Sequence, residues 1–177
     1  MEPPRAPTAP SALPPASSIP SLSVVQIGTI LAQLFHHSEQ LNSRCISLLK
    51  YNAFADYQQV ISAVLMQLES LLQSPDPADL DALDEILRSH PRMGEGPPQA
   101  GEASSAQSSG GVLQQQLLNM AKEYEACFNG LRFIGSVEGK SRQVLIDEMW
   151  ERMKRGRLEQ ERQDAVKVRI GLHFCDS

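Results

Sequence analysis

The sequence predicts an all-α fold, a compact bundle of about seven helices. Three observations predict it. Apolar residues recur at intervals of three and four along most of the chain, the spacing of one helix face. Serines at 23, 38 and 141 stand where such runs begin and can accept the first free backbone N–H groups. The aromatic share is only 5%, against 41% hydrophobic residues, which suits an aliphatic helical core. At 177 residues the chain is long enough for one domain with a sizeable core and hardly for two.

Residues 1–21 are rich in Pro, Ala and Ser and nearly uncharged. Such a stretch buries too little apolar surface to offset its ordering entropy, so a disordered tail is expected there, with the domain spanning 22–177. Ser23 then opens a helix whose inward residues are Val24, Ile27, Ile30, Leu31, Leu34 and Phe35. Ser38 opens a second, with Leu41, Cys45, Leu48 and Leu49 apolar. A third runs from about Asp56 to Leu72, turning Tyr57, Val60, Ile61, Val64, Leu65, Leu68 and Leu72 inward. Ser74-Pro75-Asp76-Pro77 ends it, because proline lacks the N–H a helix interior needs.

Leu80, Leu83, Ile86 and Leu87 mark a short helix leading to His90. Pro91 disfavours a helical conformation at His90, which puts the imidazole at the helix C-terminal end, at the mouth of a loop. Residues 94–111, rich in Gly, Ser, Pro and Gln, form that loop and are expected to be flexible. Leu113, Leu117, Leu118, Ala121, Tyr124 and Phe128 resume a helix, which Asn129-Gly130 terminates. A brief extended segment follows over Leu131–Val137, with a turn at Glu138-Gly139. Ser141 caps a helix bearing Val144, Leu145, Met149, Trp150 and Met153, and a last helix starts near Leu158 with Ala165 and Val168.

Bulk properties narrow the function. A net charge of −5 and a pI of about 5.4 argue against a phosphate-binding surface, hence against nucleic acid as a partner. No run of 18 apolar residues exists, so no membrane partner is expected. Cys45, Cys127 and Cys175 form no close pair, the pattern of reduced thiols inside a cell, and the N-terminus lacks the basic-then-apolar order of a secretory signal. The C-terminal Cys175-Asp176-Ser177 is not a peroxisomal address of the Ser-Lys-Leu type, which leaves the cytoplasm as the expected compartment.

Few constellations carry chemistry. His36 and His37 are adjacent, so their side chains diverge by roughly 100° on a helix and do not chelate together; no metal site is expected. Cys45 and Cys127 fall on apolar helix faces, where cysteine acts as a small core residue. Arg152, Lys154, Arg155 and Arg157 are flanked by Glu148, Glu151, Glu159 and Glu161, which reads as a solvated face with pairs inside the helix. His90 remains. It is the one side chain placed to donate or accept a proton near neutral pH at a loop mouth.

The ordered set of motifs resembles the oxo-hydroxy-carboxy-ureidoimidazoline (OHCU) decarboxylase family. It runs from Leu83-Asp84-Glu85-Ile86-Leu87-Arg88-Ser89-His90-Pro91-Arg92-Met93-Gly94 through Ser105-Ala106-Gln107-Ser108, Glu123-Tyr124-Glu125 and Gly130-Leu131-Arg132-Phe133-Ile134 to Val137-Glu138-Gly139-Lys140-Ser141-Arg142. The Pro-rich start and the Gly-Leu-Arg-Phe-Ile step are similar to its fungal members. The resemblance implies an all-helical fold and the last step of urate breakdown. In that step a ureidoimidazoline, the small-molecule substrate, loses carbon dioxide to give (S)-allantoin, without metal or organic cofactor. It implies that His90 handles the proton, and that Pro91, Ser108, Phe133 and Ile134 bind substrate. Homodimerisation occurs in the family and nothing in these residues decides it.

The chain also departs from the family pattern. In the family's Ser-x-x-Glu-Gln motif, Ser108 matches the serine, but Gly111 and Val112 stand where the carboxylate and amide are expected; Glu102, Gln114 and Gln116 are near without the matching spacing. Arg169 falls several residues before the position of the family's C-terminal arginine. A decarboxylase is therefore the leading expectation, and a catalytically impaired member or a helical interaction module the alternative.

Overall fold

The computed structural model describes residues 13–95, 109–136 and 139–174. Seven α-helices follow a short 3₁₀ helix, and no strand occurs among the described residues. The helices are α1 (Val24–Phe35), α2 (Glu39–Tyr51), α3 (Tyr57–Gln73), α4 (Pro77–Arg88), α5 (Ser109–Cys127), α6 (Arg142–Arg155) and α7 (Leu158–Phe174). The all-α expectation and its helix count hold.

The ends of the helices show why the chain breaks where it does. Ser23 accepts the Gln26 N–H while Gln26 accepts the Ser23 N–H, a reciprocal box that satisfies two N-terminal donors. Ser38, Asp56 and Ser141 each accept the N–H three residues on. Asp76 caps α4, and Pro77 begins it, since a helix's first residue has no use for its N–H. Pro75, directly after the Ser74 cap, stops α3, and Pro77 starts α4 three residues before the first inward leucine expected from periodicity. At the end of α5, Asn129 and Gly130 take positive φ (53° and 83°), and the Gly130 N–H returns to the Glu125 carbonyl at 2.7 Å. That reversal delivers the 131–134 segment back toward the end of α4.

One continuous core binds these pieces. α3 packs on α4 and α7, α2 on α1 and α4, and α5 on α6. Leu31, Leu41, Leu49, Val64, Leu68, Leu83, Ile86, Leu87, Tyr124 and Phe128 are buried at its centre. At roughly 25 cal/mol per Å² of apolar surface, each buried aliphatic side chain contributes about 2 kcal/mol toward offsetting chain entropy.

Ordered structure begins before the boundary drawn at residue 22. Ala16–Ser21 forms a 3₁₀ helix whose Ile19 is fully buried. The Tyr57 hydroxyl donates to the Pro14 carbonyl at 2.7 Å, and Lys50 Nζ donates to the Leu22 carbonyl at 2.6 Å. A proline-rich composition hides this because one isoleucine, with two distant donors, supplies the anchoring. Residues 1–12 and 96–108 lie outside the described residues, and with them most of the expected tail and loop.

Val144 and Trp150 are about half exposed, and Lys154 Nζ lies 5.6 Å from the indole centroid. The buried stripe of α6 is Leu145, Met149 and Arg152, at i, i+4 and i+7. Arg152 therefore corrects an expectation. Instead of joining a solvated basic face, it is only 7% exposed and is paired with Glu161 of α7, itself 2% exposed, at 2.9 Å.

Candidate active site

The candidate site is built around the end of α4. Ser89 keeps a helical backbone (φ −69°, ψ −11°) and its N–H bonds back to Glu85 and Leu87. The His90 N–H still reaches the Leu87 carbonyl, at 3.3 Å, and there the helix stops. Pro91, exposed and lacking an N–H, carries the chain away. His90 thus stands half-buried on the last turn, as its proline neighbour led one to expect.

Its ring meets another imidazole. His36, at the C-terminal end of α1, lies 4.8 Å from His90 between ring centroids, with the planes at 80°. The His36 backbone has φ 66° and ψ 160°, a region that is essentially reserved for glycine and costs of order 1–3 kcal/mol for another residue. Beside this pair, Glu85, Arg88 and Ser89 of the α4 end face His37, Ser38 and Gln40 across an open depression of about 310 Å³.

A chain of ion pairs grips the backbone on both sides of the His90-Pro91 step. Arg88 Nε donates to the Asn129 carbonyl at 3.0 Å, and Arg132 Nε donates to the Arg88 carbonyl at 3.3 Å. Arg132 also pairs with Glu125 of α5. Glu125 in turn receives Arg92 in a two-pronged contact, at 2.7 and 2.8 Å. On the next turn back, the buried Asp84 receives Arg162 of α7 the same way, at 2.7 Å on each prong. Four separate pieces of chain therefore converge on the end of α4.

Glu125 gives this network a pH signature. Burial pushes its carboxyl up, but hydrogen bonds from Arg92 and Arg132 outweigh burial and hold it below its ordinary value. A carboxylate lowered by folding stabilises the fold above its unfolded value, about 4.3, and that contribution is lost as pH falls through the lower folded value. Glu125→Gln should therefore lower the urea midpoint at pH 7, and the difference from the parent should shrink toward zero on acidification below about pH 4.3. Urea titrations read at several pH values check both halves.

The residues expected to bind substrate divide into three groups. Pro91 is at the surface beside His90. Phe133 and Ile134 are 2% and 1% exposed, so their side chains belong to the core. The Phe133 ring stands perpendicular to Tyr124 at 5.4 Å and carries the Arg152 guanidinium 4.6 Å above it. The Ile134 carbonyl accepts from Arg152 Nη1 at 3.3 Å. What this segment offers a ligand is backbone, brought to the α4 end by Arg88 and Arg132. Ser108 lies outside the described residues.

The departure from the Ser-x-x-Glu-Gln motif lies on α5. A Cβ added at Gly111 would meet nothing within 4 Å, and Val112 is 59% exposed. The amide that does reach the loop after His90 comes from Gln114, whose Nε2 donates to the Gly94 carbonyl. Gly94 has φ 88°, a value a side chain rarely adopts, so the loop turns sharply there. Neither Gln114 nor His36 was legible as a site residue, because each arrives from a separate helix through tertiary packing alone.

A family model, OHCU decarboxylase, matches residues 20–168, a span that takes in the His90-Pro91 step, the Gly130–Ile134 segment and the Arg152–Glu161 pair. The chain belongs to the OHCU decarboxylase family. No curated protein and no solved structure matches it. Membership puts the chain among decarboxylases of urate breakdown, lyases that act on a small molecule and lead to allantoin. Among the described residues no group of three His, Cys, Asp or Glu side chains could hold a metal ion, and no helix is long and apolar enough to cross a membrane.

Proposed function

We propose that this chain decarboxylates 2-oxo-4-hydroxy-4-carboxy-5-ureidoimidazoline to (S)-allantoin, with His90 as the proton donor. The observation that carries the reading is the family match across 20–168 together with the half-buried imidazole at the end of α4. As the bond to the carboxylate breaks, its electron pair passes into the imidazolinone as an enolate-like system and carbon dioxide leaves. The imidazolium of His90 then returns a proton to that carbon from one side, which sets a single stereochemistry. Pro91 and the backbone of Phe133 and Ile134 line the substrate in this reading, and Ser108 supplies a hydroxyl. The chemistry calls for no metal or organic cofactor. The Gly130–Ile134 step supports a fungal-type member, and the free thiols Cys45 and Cys127 suit the cytoplasm.

One observation favours a second reading, a member that keeps the fold without the activity. Gly111 and Val112 offer neither the carboxylate nor the amide that the family motif expects on α5. Release of carbon dioxide from freshly made ureidoimidazoline separates the two readings. The decarboxylase reading expects release above the buffer rate and a single allantoin enantiomer. Release at the buffer rate, giving both enantiomers, leaves only the second reading standing.

A further inference from the structure

We infer that Glu125 is a positioning residue: through Arg92 and Arg132 it sets the His90-Pro91 step against the backbone of Phe133 and Ile134, and with it the proton donor against the substrate. The inference rests on the decarboxylase reading for its kinetic consequence and on geometry alone for its structural one.

The backbone shows why a side chain is needed there. Up to His90 the helix supplies its own bonds, from the Ser89 N–H to the Glu85 carbonyl at 3.1 Å and from the His90 N–H to the Leu87 carbonyl at 3.3 Å. Pro91 has no N–H to extend that ladder. Glu125 takes over from α5. Its two oxygens receive Nε and Nη2 of Arg92, two residues beyond His90, at 2.7 and 2.8 Å. Oε1 also pairs with Arg132 Nη1. The same guanidinium donates from Nε to the carbonyl of Arg88, two residues before His90, at 3.3 Å. One carboxylate thus grips the chain on both sides of the donor. Arg132 leads directly into Phe133 and Ile134, so the grip also fixes the segment whose backbone lines the substrate in the decarboxylase reading. The imidazole keeps its own contacts, His36 among them, and the clamp fixes the backbone from which they are made.

The strength of the contact suits the role. Hydrogen bonds between ionised groups are about twice as strong as neutral ones, and a two-pronged guanidinium contact fixes angle as well as distance. The Arg92 and Glu125 side chains are only 23% and 13% exposed, so water competes weakly for them. Arg92 also reaches Glu95 at 2.6 Å, but Glu95 is exposed and belongs to the same loop, so that pair ties nothing to α5. A donor that must reach one face of a planar intermediate tolerates little displacement, and about 1 Å of misplacement costs on the order of 10²-fold in rate.

Glu125→Gln keeps the size of the side chain and removes its charge. In the full chain it should lower kcat roughly tenfold or more, with KM unchanged or lower, because losing a negative charge does not repel an anionic substrate. Arg92→Gln should cost a similar factor and add little to Glu125→Gln in the double variant, since both cut one link. Ile61→Val, a change in the buried face of α3, separates position from stability: it should lower the urea midpoint and keep parental kcat. An independent reading comes from the assigned backbone amide signals of the ¹⁵N-labelled chain. Those of Ser89, His90 and Arg92 should shift and broaden in Glu125→Gln, while those in the middle of α3 stay in place. Parental kcat in Glu125→Gln overturns the inference, and so does an equal loss of kcat in Ile61→Val. A loss expressed mainly as a higher KM overturns it too, by making Glu125 a substrate contact. Unchanged Ser89, His90 and Arg92 signals overturn it whether or not the chain is active. A parent without measurable turnover defeats the decarboxylase reading and leaves those signals to decide the clamp.

Discussion

Replacing His90 by alanine is expected to remove the acceleration of ureidoimidazoline decarboxylation, a loss of about 10²–10⁴-fold, the usual contribution of a positioned acid or base. The fold should survive the change. The His90 backbone N–H keeps its bond to the Leu87 carbonyl, and the ion pairs of Arg88, Arg92 and Arg132 do not pass through the imidazole. A melting temperature close to the parent's, together with turnover at the buffer rate, is the expected pair of results. A variant that melts normally and still produces (S)-allantoin quickly would move the proton donor elsewhere.

Arg152→Leu is expected to have the largest effect on stability. Arg152 is the hub of the α5–α6–α7 side of the domain: Glu161 at 2.9 Å, Glu148 at 2.7 Å, the Ile134 carbonyl at 3.3 Å and the Phe133 ring all depend on it. Burial alone would lower its basicity, but the charge of Glu161 and the bond to Glu148 more than compensate and hold the guanidinium protonated. Tyr124, buried beside it, has its phenol pushed up first by burial and then by the charge of Glu161, so it stays neutral and adds no second negative charge there. Removing one partner of a buried pair leaves the other desolvated and alone, which costs about 3–5 kcal/mol. For a domain of this size that is a fall of roughly 10 °C in melting temperature. The companion variant, Arg152→Leu with Glu161→Leu, should recover much of the loss, because two apolar side chains leave no buried charge behind. Thermal unfolding followed by circular dichroism checks both. Equal melting temperatures for the single variant and the parent would contradict the hub assignment.

The contrast between Arg152 and its helix shows where the sequence could be read and where it could not. Helix periodicity and the caps at Ser23, Ser38 and Ser141 were visible because they are local: each depends on residues three or four apart. Arg152 shares the Leu145–Met149 stripe at the same spacing, so its burial had a local signal. Its charge concealed that signal, since an arginine goes inside only where a carboxylate nine residues on comes with it. The 3₁₀ helix at Ala16–Ser21 had no periodicity to show, only Ile19 and donors from α2 and α3.

The site divides in the same way. His90 was legible from the proline that follows it, a one-residue constraint. His36 reads in the sequence as half of an adjacent, non-chelating pair because nothing near it in sequence points to α4. Gln114 lacks the spacing of the family motif; the loop turn at Gly94 brings its amide into contact nonetheless. Such residues depend on how α1 and α5 pack around the end of α4, and packing is a property of the whole core.

The most direct measurement is the circular dichroism of freshly generated ureidoimidazoline decaying with and without the full chain. The account predicts that (S)-allantoin appears faster with the protein than in buffer, and that its signal reaches the amplitude of one pure enantiomer. Decay at the buffer rate to an optically inactive mixture would contradict it.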